Sequence, residues 1–201
     1  MESTMSVYIA SFKITGTSPL LMNNPESMGA QPQNDVGAKK KYNAADEASL
    51  RVYRDSAGSI VFPSEAFRKA IIKACGGRKI GKLGAATIVK GSVFNIGERV
   101  VIMDPRTAKA IEKYEIDIRR AIVNKQGIMR ARPMFSLWSC IVDLEIDADF
   151  IAEPGPVLQL LNIAGKIVGV GDYRAEKGGK FGRFQAELLN STLMGQNKTA
   201  A

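Results

Sequence analysis

The chain has 201 residues, 45% of them hydrophobic and 24% charged, which fits one globular domain with an ordinary core. It has no histidine, so a Ser-His-Asp or Cys-His site is excluded and the commonest metal ligand is missing. The formal charge of +8 is concentrated in the middle third: residues 68–132 hold sixteen Lys/Arg against five Asp/Glu, while residues 1–67 hold six against seven and residues 133–201 six against eight. A field this localised points to an anionic partner.

In chain order, Ser6–Ile14 alternates Tyr8, Ala10, Phe12 and Ile14 on one face, the period of a strand. Residues 23–48 lose periodicity and gather Asn, Pro, Gln and Gly around Lys39–Lys41. They read as a long insertion after the first strand, with room for helix from Ala44 to Arg51. Leu50–Arg54 and Ser59–Phe62 flank Asp55–Gly58 as a short hairpin. Pro63 and Ser64 introduce a helix over Glu65–Ala74, with Ser64 as its expected N-cap and Cys75-Gly76-Gly77 as its stop. Residues 78–90 read as a basic, glycine-containing connection.

Ser92–Met103 has strand character around Gly97, Thr107–Tyr114 is expected to be a short helix, and Glu115–Asn124 is strand-like. Trp138–Ile146 alternates with Trp138, Cys140, Val142, Leu144 and Ile146 inward and Asp143 and Glu145 outward. Val157–Ile167 is an apolar helix after Pro154-Gly-Pro156, Phe181–Leu189 is the closing strand, and residues 191–201 are expected to be a disordered tail. The elements reduce to an α+β, ferredoxin-like, β-α-β-β-α-β core related to RNA-recognition modules, a single domain over residues 1–190. Cys75 and Cys140 lack metal-ligand spacing and read as buried thiols. No apolar run approaches a membrane span, so the expectation is a cytoplasmic protein with no membrane partner.

The most informative stretch is residues 165–184, where glycines 165, 169, 171, 178, 179 and 182 alternate with Lys166, Arg174, Lys177, Lys180 and Arg183. Glycine permits positive φ and close backbone approach, and the cations supply attraction for phosphate. The spacing is that of neither a Walker A loop nor a dinucleotide fingerprint, and a solvated loop is the plainer alternative. A second cluster lies in residues 117–132, with Arg119, Arg120, Lys125, Arg130 and Arg132 against Asp117 alone. On a strand Arg119 and Arg120 point to opposite faces, and Arg130 and Arg132 to one. Arginine suits phosphate because its planar fork can bond two oxygens. Tyr173 and Phe181 are candidates for stacking on bases, whereas Trp138 and Phe184 read as core.

The expected nucleic-acid contacts are therefore Lys69, Lys73, Arg119, Arg120, Arg130, Arg132, Arg174, Lys177, Lys180 and Arg183. Gly169, Gly171, Gly178 and Gly179 would allow close approach, and Tyr173 and Phe181 would stack. Neither a catalytic group nor a metal nor a cofactor is expected. Asp143, Glu145, Asp147 and Asp149 keep one strand phase, which reads as a solvated face or as an acidic surface for self-assembly. A metal-dependent nuclease using Asp143, Glu145 or Asp172 is the alternative, and a basic face for an acidic protein partner is a third reading.

Ile60-Val-Phe-Pro63-Ser64-Glu-Ala-Phe67-Arg68-Lys-Ala70 resembles the start of the first helix in RAMP-type proteins, the ferredoxin-like backbone subunits of CRISPR effector complexes, and Gly165–Phe184 resembles their C-terminal glycine-rich loop. The pattern Arg130-x-Arg132-Pro133…Trp138 with Gly169-x-Gly171-x-x-Arg174…Gly179-x-Phe181-Gly182-Arg183-Phe184 is more similar to phage and mobile-element proteins. The resemblance spans residues 50–187. It implies a core that binds single-stranded RNA or DNA and assembles as a homo-oligomer or helical filament, with the 23–48 insertion reaching the next protomer.

Overall fold

The computed structural model describes residues 6–25, 43–123 and 126–195. Strand β1 (Val7–Gly16) buries Ala10, Phe12 and Ile14 and turns Ile9, Ser11, Lys13 and Thr15 to its other face. After β2 (Leu20–Leu21), α1 (Ala44–Leu50) and β3 (Val61–Pro63) comes α2 (Glu65–Ala74). The α2 bounds are those expected from its apolar stripe, and Phe67, Ala70, Ile71 and Ala74 are buried. Next are the small hairpin β4 (Lys79–Ile80) and β5 (Leu83–Gly84), α3 (Ala85–Ser92), β6 (Val93–Ile96) and β7 (Arg99–Val101). A long hairpin, β8 (Glu115–Val123) and β9 (Gln126–Phe135), precedes β10 (Ser139–Asp147), α4 (Gly155–Ile167) and β11 (Phe184–Met194).

The main sheet runs β11-β1-β10-β6 with every neighbouring pair antiparallel, giving an α+β architecture. Helix α2 lies between β1 and β6 in sequence, and α4 between β10 and β11. Both helices add their apolar stripes to the buried residues of β1 and β10 in one core, which also holds Trp138 and Phe184. Edge-to-face contacts link Tyr53 to Phe62, Phe62 to Phe67, and Phe67 to Phe184, with ring centroids 6.0, 6.0 and 5.6 Å apart. Trp138 donates its Nε1–H to the Ser18 carbonyl oxygen at 2.9 Å. A second sheet, β2-β9-β8, carries the arginine-rich hairpin.

Several local expectations are corrected. Ser64 is itself helical (φ −61°, ψ −34°) and makes no side-chain cap; its hydroxyl instead donates to the Gly97 carbonyl oxygen at 2.6 Å. Residues 78–90 are not a plain connection but contain β4, β5 and most of α3. Thr107–Tyr114 is not helical: the Asp104 carboxylate accepts the Arg106 amide at 2.8 Å, Ala108 takes φ +56°, and Met103 bridges to Ala110. Such an Asx turn competes locally with helix. Strand β11 continues to Met194, past the expected end at Leu189. Residues 26–42 of the expected insertion and residues 196–201 of the expected tail lie outside the described residues.

Candidate nucleic-acid interface

The glycine-rich segment is a closed loop whose missing Cβ atoms are used within the chain. A Cβ at Gly165 would overlap the Phe184 carbonyl, and one at Gly179 would overlap the Tyr173 carbonyl. Gly169 and Gly171 take φ +73° and +79°, a region side chains resist. The loop amides are spent internally as well. Val170 donates to Gly182, Asp172 to Leu21, Gly179 to Arg174 and Gly182 to Pro19, at 2.8–3.0 Å. Gly178, at φ +74°, has open space at its Cβ position. The expected backbone approach of Gly169, Gly171 and Gly179 is thus to their own chain, and the loop offers side chains to its surroundings.

Those side chains join α2 to the β8–β9 hairpin. Register pairs Arg119 with Arg130 and Asp117 with Arg132, so these four share one hairpin face. Arg119 is fork-bonded to Asp117 and lies 4.7 Å from the Phe181 ring centroid and 5.6 Å from that of Tyr173. Arg132 is 5% exposed. Its guanidinium sits 5.2 Å from the Tyr173 ring centroid, with Nε 2.7 Å from Asp172 Oδ2. That approach is not in line for a hydrogen bond, and Arg132 Nε and Nη1 have no hydrogen-bond partner among the described residues. Tyr173, held at φ +48°, donates its hydroxyl to the Arg120 carbonyl oxygen at 3.1 Å. Phe181 is buried at 2% exposure, so its ring serves these cations and not an incoming base.

Helix α1 secures the other side of the hairpin. Asn43 caps it by accepting the Ala45 amide at 3.0 Å. One α1 carboxylate, Glu47, accepts from Arg51 at 3.1 Å, Arg130 at 3.0 Å and the Ala131 amide at 2.9 Å. On α2, Lys73 pairs with Glu176, which also accepts from Arg174 at 3.0 Å. The hydrogen bond from Lys73, with that from Arg174, holds the Glu176 carboxyl below the usual carboxylate range.

The ten expected cations therefore divide in two. Lys73, Arg119, Arg130, Arg132 and Arg174 each hold a carboxylate of this chain. Lys69, Arg120, Lys177, Lys180 and Arg183 are exposed and form no ion pair among the described residues. Sequence reasoning missed the partners Asp117, Glu47 and Glu176, and it assigned Asp172 only to the alternative nuclease.

A groove of about 690 Å³ runs between α2 and the glycine-rich loop and brings five expected residues together: Lys69, Lys73, Gly169, Gly171 and Arg174. Tyr53, Phe62, Val168 and Val170 also line it. The carboxylates of the alternative nuclease are not gathered in this way. Asp143 and Glu145 lie along β10, where register sets them beside Ile96 and Phe94, and Asp172 is engaged with Arg132. Among the described residues no cluster of three carboxylates or thiols could hold a metal ion. Cys75 and Cys140 are buried, and burial pushes both thiols up. No helix among the described residues is long and apolar enough to cross a membrane.

No protein-family model matches the chain, and no curated protein matches it in sequence. In fold it is similar to a chain in a cryo-EM structure of the Type III-B Cmr-beta bound to cognate target RNA. The TM-score is 0.54 at 13% identity, covering 94% of this chain and 61% of that one. This chain thus spans under two thirds of its neighbour, and the likeness is one of fold alone. A chain of a CRISPR RNA-guided surveillance complex aligns over 92% of this chain and 68% of its own length, at 10% identity and a TM-score of 0.33.

Proposed function

We propose that this protein is a non-catalytic, single-strand nucleic-acid-binding protein of the ferredoxin-like, RAMP type, which assembles copy upon copy along its ligand with little sequence preference. One observation carries the reading. The glycine-rich loop and α2 expose Lys69, Lys177, Lys180 and Arg183, none of them neutralised by a carboxylate among the described residues. The loop beneath them is held rigidly by its own backbone bonds. Cations on a rigid frame suit phosphates, which position a strand without reading its bases.

The sheet order β11-β1-β10-β6 with its two helical crossovers supports the ferredoxin-like assignment, and so does the fold likeness to a chain of an RNA-bound complex. The acidic phase Asp143, Glu145 and Asp147 on β10 is a complement for the basic side of a neighbouring copy. A phage or mobile-element setting in the bacterial cytoplasm belongs to the same reading. The test is fluorescence anisotropy with single-stranded RNA, single-stranded DNA and duplex DNA across a salt series. A single strand should bind well below the ~10⁻⁴–10⁻⁶ M typical of non-specific association, with affinity falling as salt rises. If none of the three exceeds that level, the basic surface serves a protein and the proposal falls.

A further inference from the structure

The groove between α2 and the glycine-rich loop has two chemistries that phosphate binding alone does not explain. Its floor is apolar: Phe62, Val168 and Val170 are 3%, 5% and 2% exposed, and the aromatic ring of Tyr53 stands in its lining against Phe62. Its cations are Lys69 and Lys90, both exposed and without an ion-pair partner among the described residues, together with Lys73 and Arg174, which share Glu176, and Arg68, which holds Glu65. The amides of Gly169, Val170 and Asp172 along the loop are already bonded to Ala164, Gly182 and Leu21, so the loop backbone has little left to grip an anion with. A ligand that satisfies both parts has a flat apolar ring and an anionic group beside it. The volume of about 690 Å³ falls within the ~300–1,000 Å³ of small-molecule sites.

From this match of charge and polarity we propose that the groove takes one unstacked nucleobase of the bound strand, against Tyr53 and the apolar floor, while the phosphate of that nucleotide meets Lys69 and Lys90. The site rests on the nucleic-acid reading above and deepens it. It gives the protein a place to hold a base out of the stack with no demand on which base, because stacking on an aromatic tolerates every base. It also accounts for an apolar cleft lying beside a cationic loop.

The test uses amide NMR spectra of the full chain titrated with adenosine 5′-monophosphate and, separately, with ribose 5-phosphate, which lacks the base. The nucleotide should shift amides of residues 66–73 and 168–174 at concentrations about tenfold lower than the base-free sugar, the scale of one base–aromatic stack. A short single strand should displace it. Ala66→Trp, which fills the groove from the half-buried side of α2, should abolish these shifts and weaken strand binding about tenfold without changing its salt slope. Tyr53→Ala gives the same readout if the bulky variant does not fold. Equal binding of ribose 5-phosphate overturns the base site and leaves a phosphate site. Nucleotide binding that a tightly bound strand does not displace also overturns it, because the groove then serves a free nucleotide. Strand binding with no groove shifts from either small ligand refutes the inference while the single-strand reading stands. Absence of strand binding ends both.

Discussion

The division of the cations into paired and unpaired sets makes a quantitative prediction. If Lys69, Arg120, Lys177, Lys180 and Arg183, the expected contacts that are exposed and form no ion pair among the described residues, each meet one phosphate of a single strand, with Lys90 sharing the phosphate of Lys69, log K falls with log salt at a slope of about −3.5, taking ~0.7 per phosphate. Replacing Lys177, Lys180 and Arg183 by alanine leaves two contacts and a slope of about −1.4. Between ~50 and ~200 mM salt the wild type then loses affinity about 100-fold and the triple variant about sevenfold. All three side chains are exposed and the loop fold rests on its backbone bonds, so the urea midpoint should stay near that of the wild type. Anisotropy with a fluorescent single strand at five or more salt concentrations gives both slopes directly. An unchanged slope in the triple variant, with a flattened slope in Arg130→Ala, would refute the division: phosphates would then be displacing the carboxylates from the paired set.

Arg132→Ala should act on stability. It leaves Asp172 without its cation and uncovers the Tyr173 ring, at a cost of about 2–4 kcal/mol read from urea unfolding; an unchanged midpoint would show the pair to be dispensable. Gly182→Ala places a Cβ onto the Val170 carbonyl oxygen at φ +65° and should cost about 3 kcal/mol or more by thermal melting, whereas alanine at the open Gly178 position should cost less. The depressed Glu176 pKa means that this carboxylate contributes stability above its unfolded pKa and loses it as pH falls through the lower folded value. Glu176→Gln should therefore lower stability at neutral pH and flatten the acid limb of the stability profile, while releasing Lys73 and Arg174 to tighten strand binding. A variant with the wild-type acid limb would remove the ion pair from the account.

The legible parts of the fold were those written in local period. The two-residue alternation of β1 and β10 and the apolar stripe of α2 each report one buried face, and a buried face is a property of a few consecutive residues. Helix α3 was hidden because glycines and lysines around residues 81–91 mask a short apolar set, Ala85, Ile88 and Val89, that only burial against the core reveals. The false helix at Thr107–Tyr114 lost to a side-chain turn at Asp104. The basic residues were visible, but their carboxylate partners only partly so. Asp117 and Arg119 sit two residues apart on β8, a spacing that shares a face on a strand, whereas Arg174 and Glu176, equally close in sequence, meet across the start of a short 3-10 turn over Ala175–Lys177. Glu47 lies 83 residues from Arg130, and no spacing rule connects them. The glycines show the limit most plainly. Sequence marks where a Cβ is absent, while only the fold tells whether the vacant space faces a ligand or, as at Gly165, Gly179 and Gly182, another stretch of the same chain.

The two faces of the main sheet bear on where a strand would run. On β10 the outward phase is Ile141, Asp143, Glu145 and Asp147, and register sets Lys13 of β1 between Ile141 and Glu187 of β11. Three carboxylates in line on one strand stand about 6.6–6.8 Å apart, too dispersed to converge on one ion and close enough to repel a phosphate backbone. Modules that bind RNA across an open sheet stack bases on aromatics there, whereas the β1 and β10 positions of this face hold none, and Phe94, at the β6 edge beside Glu145, has the Arg68 guanidinium over its ring at 5.2 Å. The unpaired cations, the apolar groove and the arginine-rich hairpin all meet at the glycine-rich loop instead. A strand bound to this protein would therefore follow that loop between α2 and the hairpin, and the acidic sheet face would be left for a positively charged neighbour.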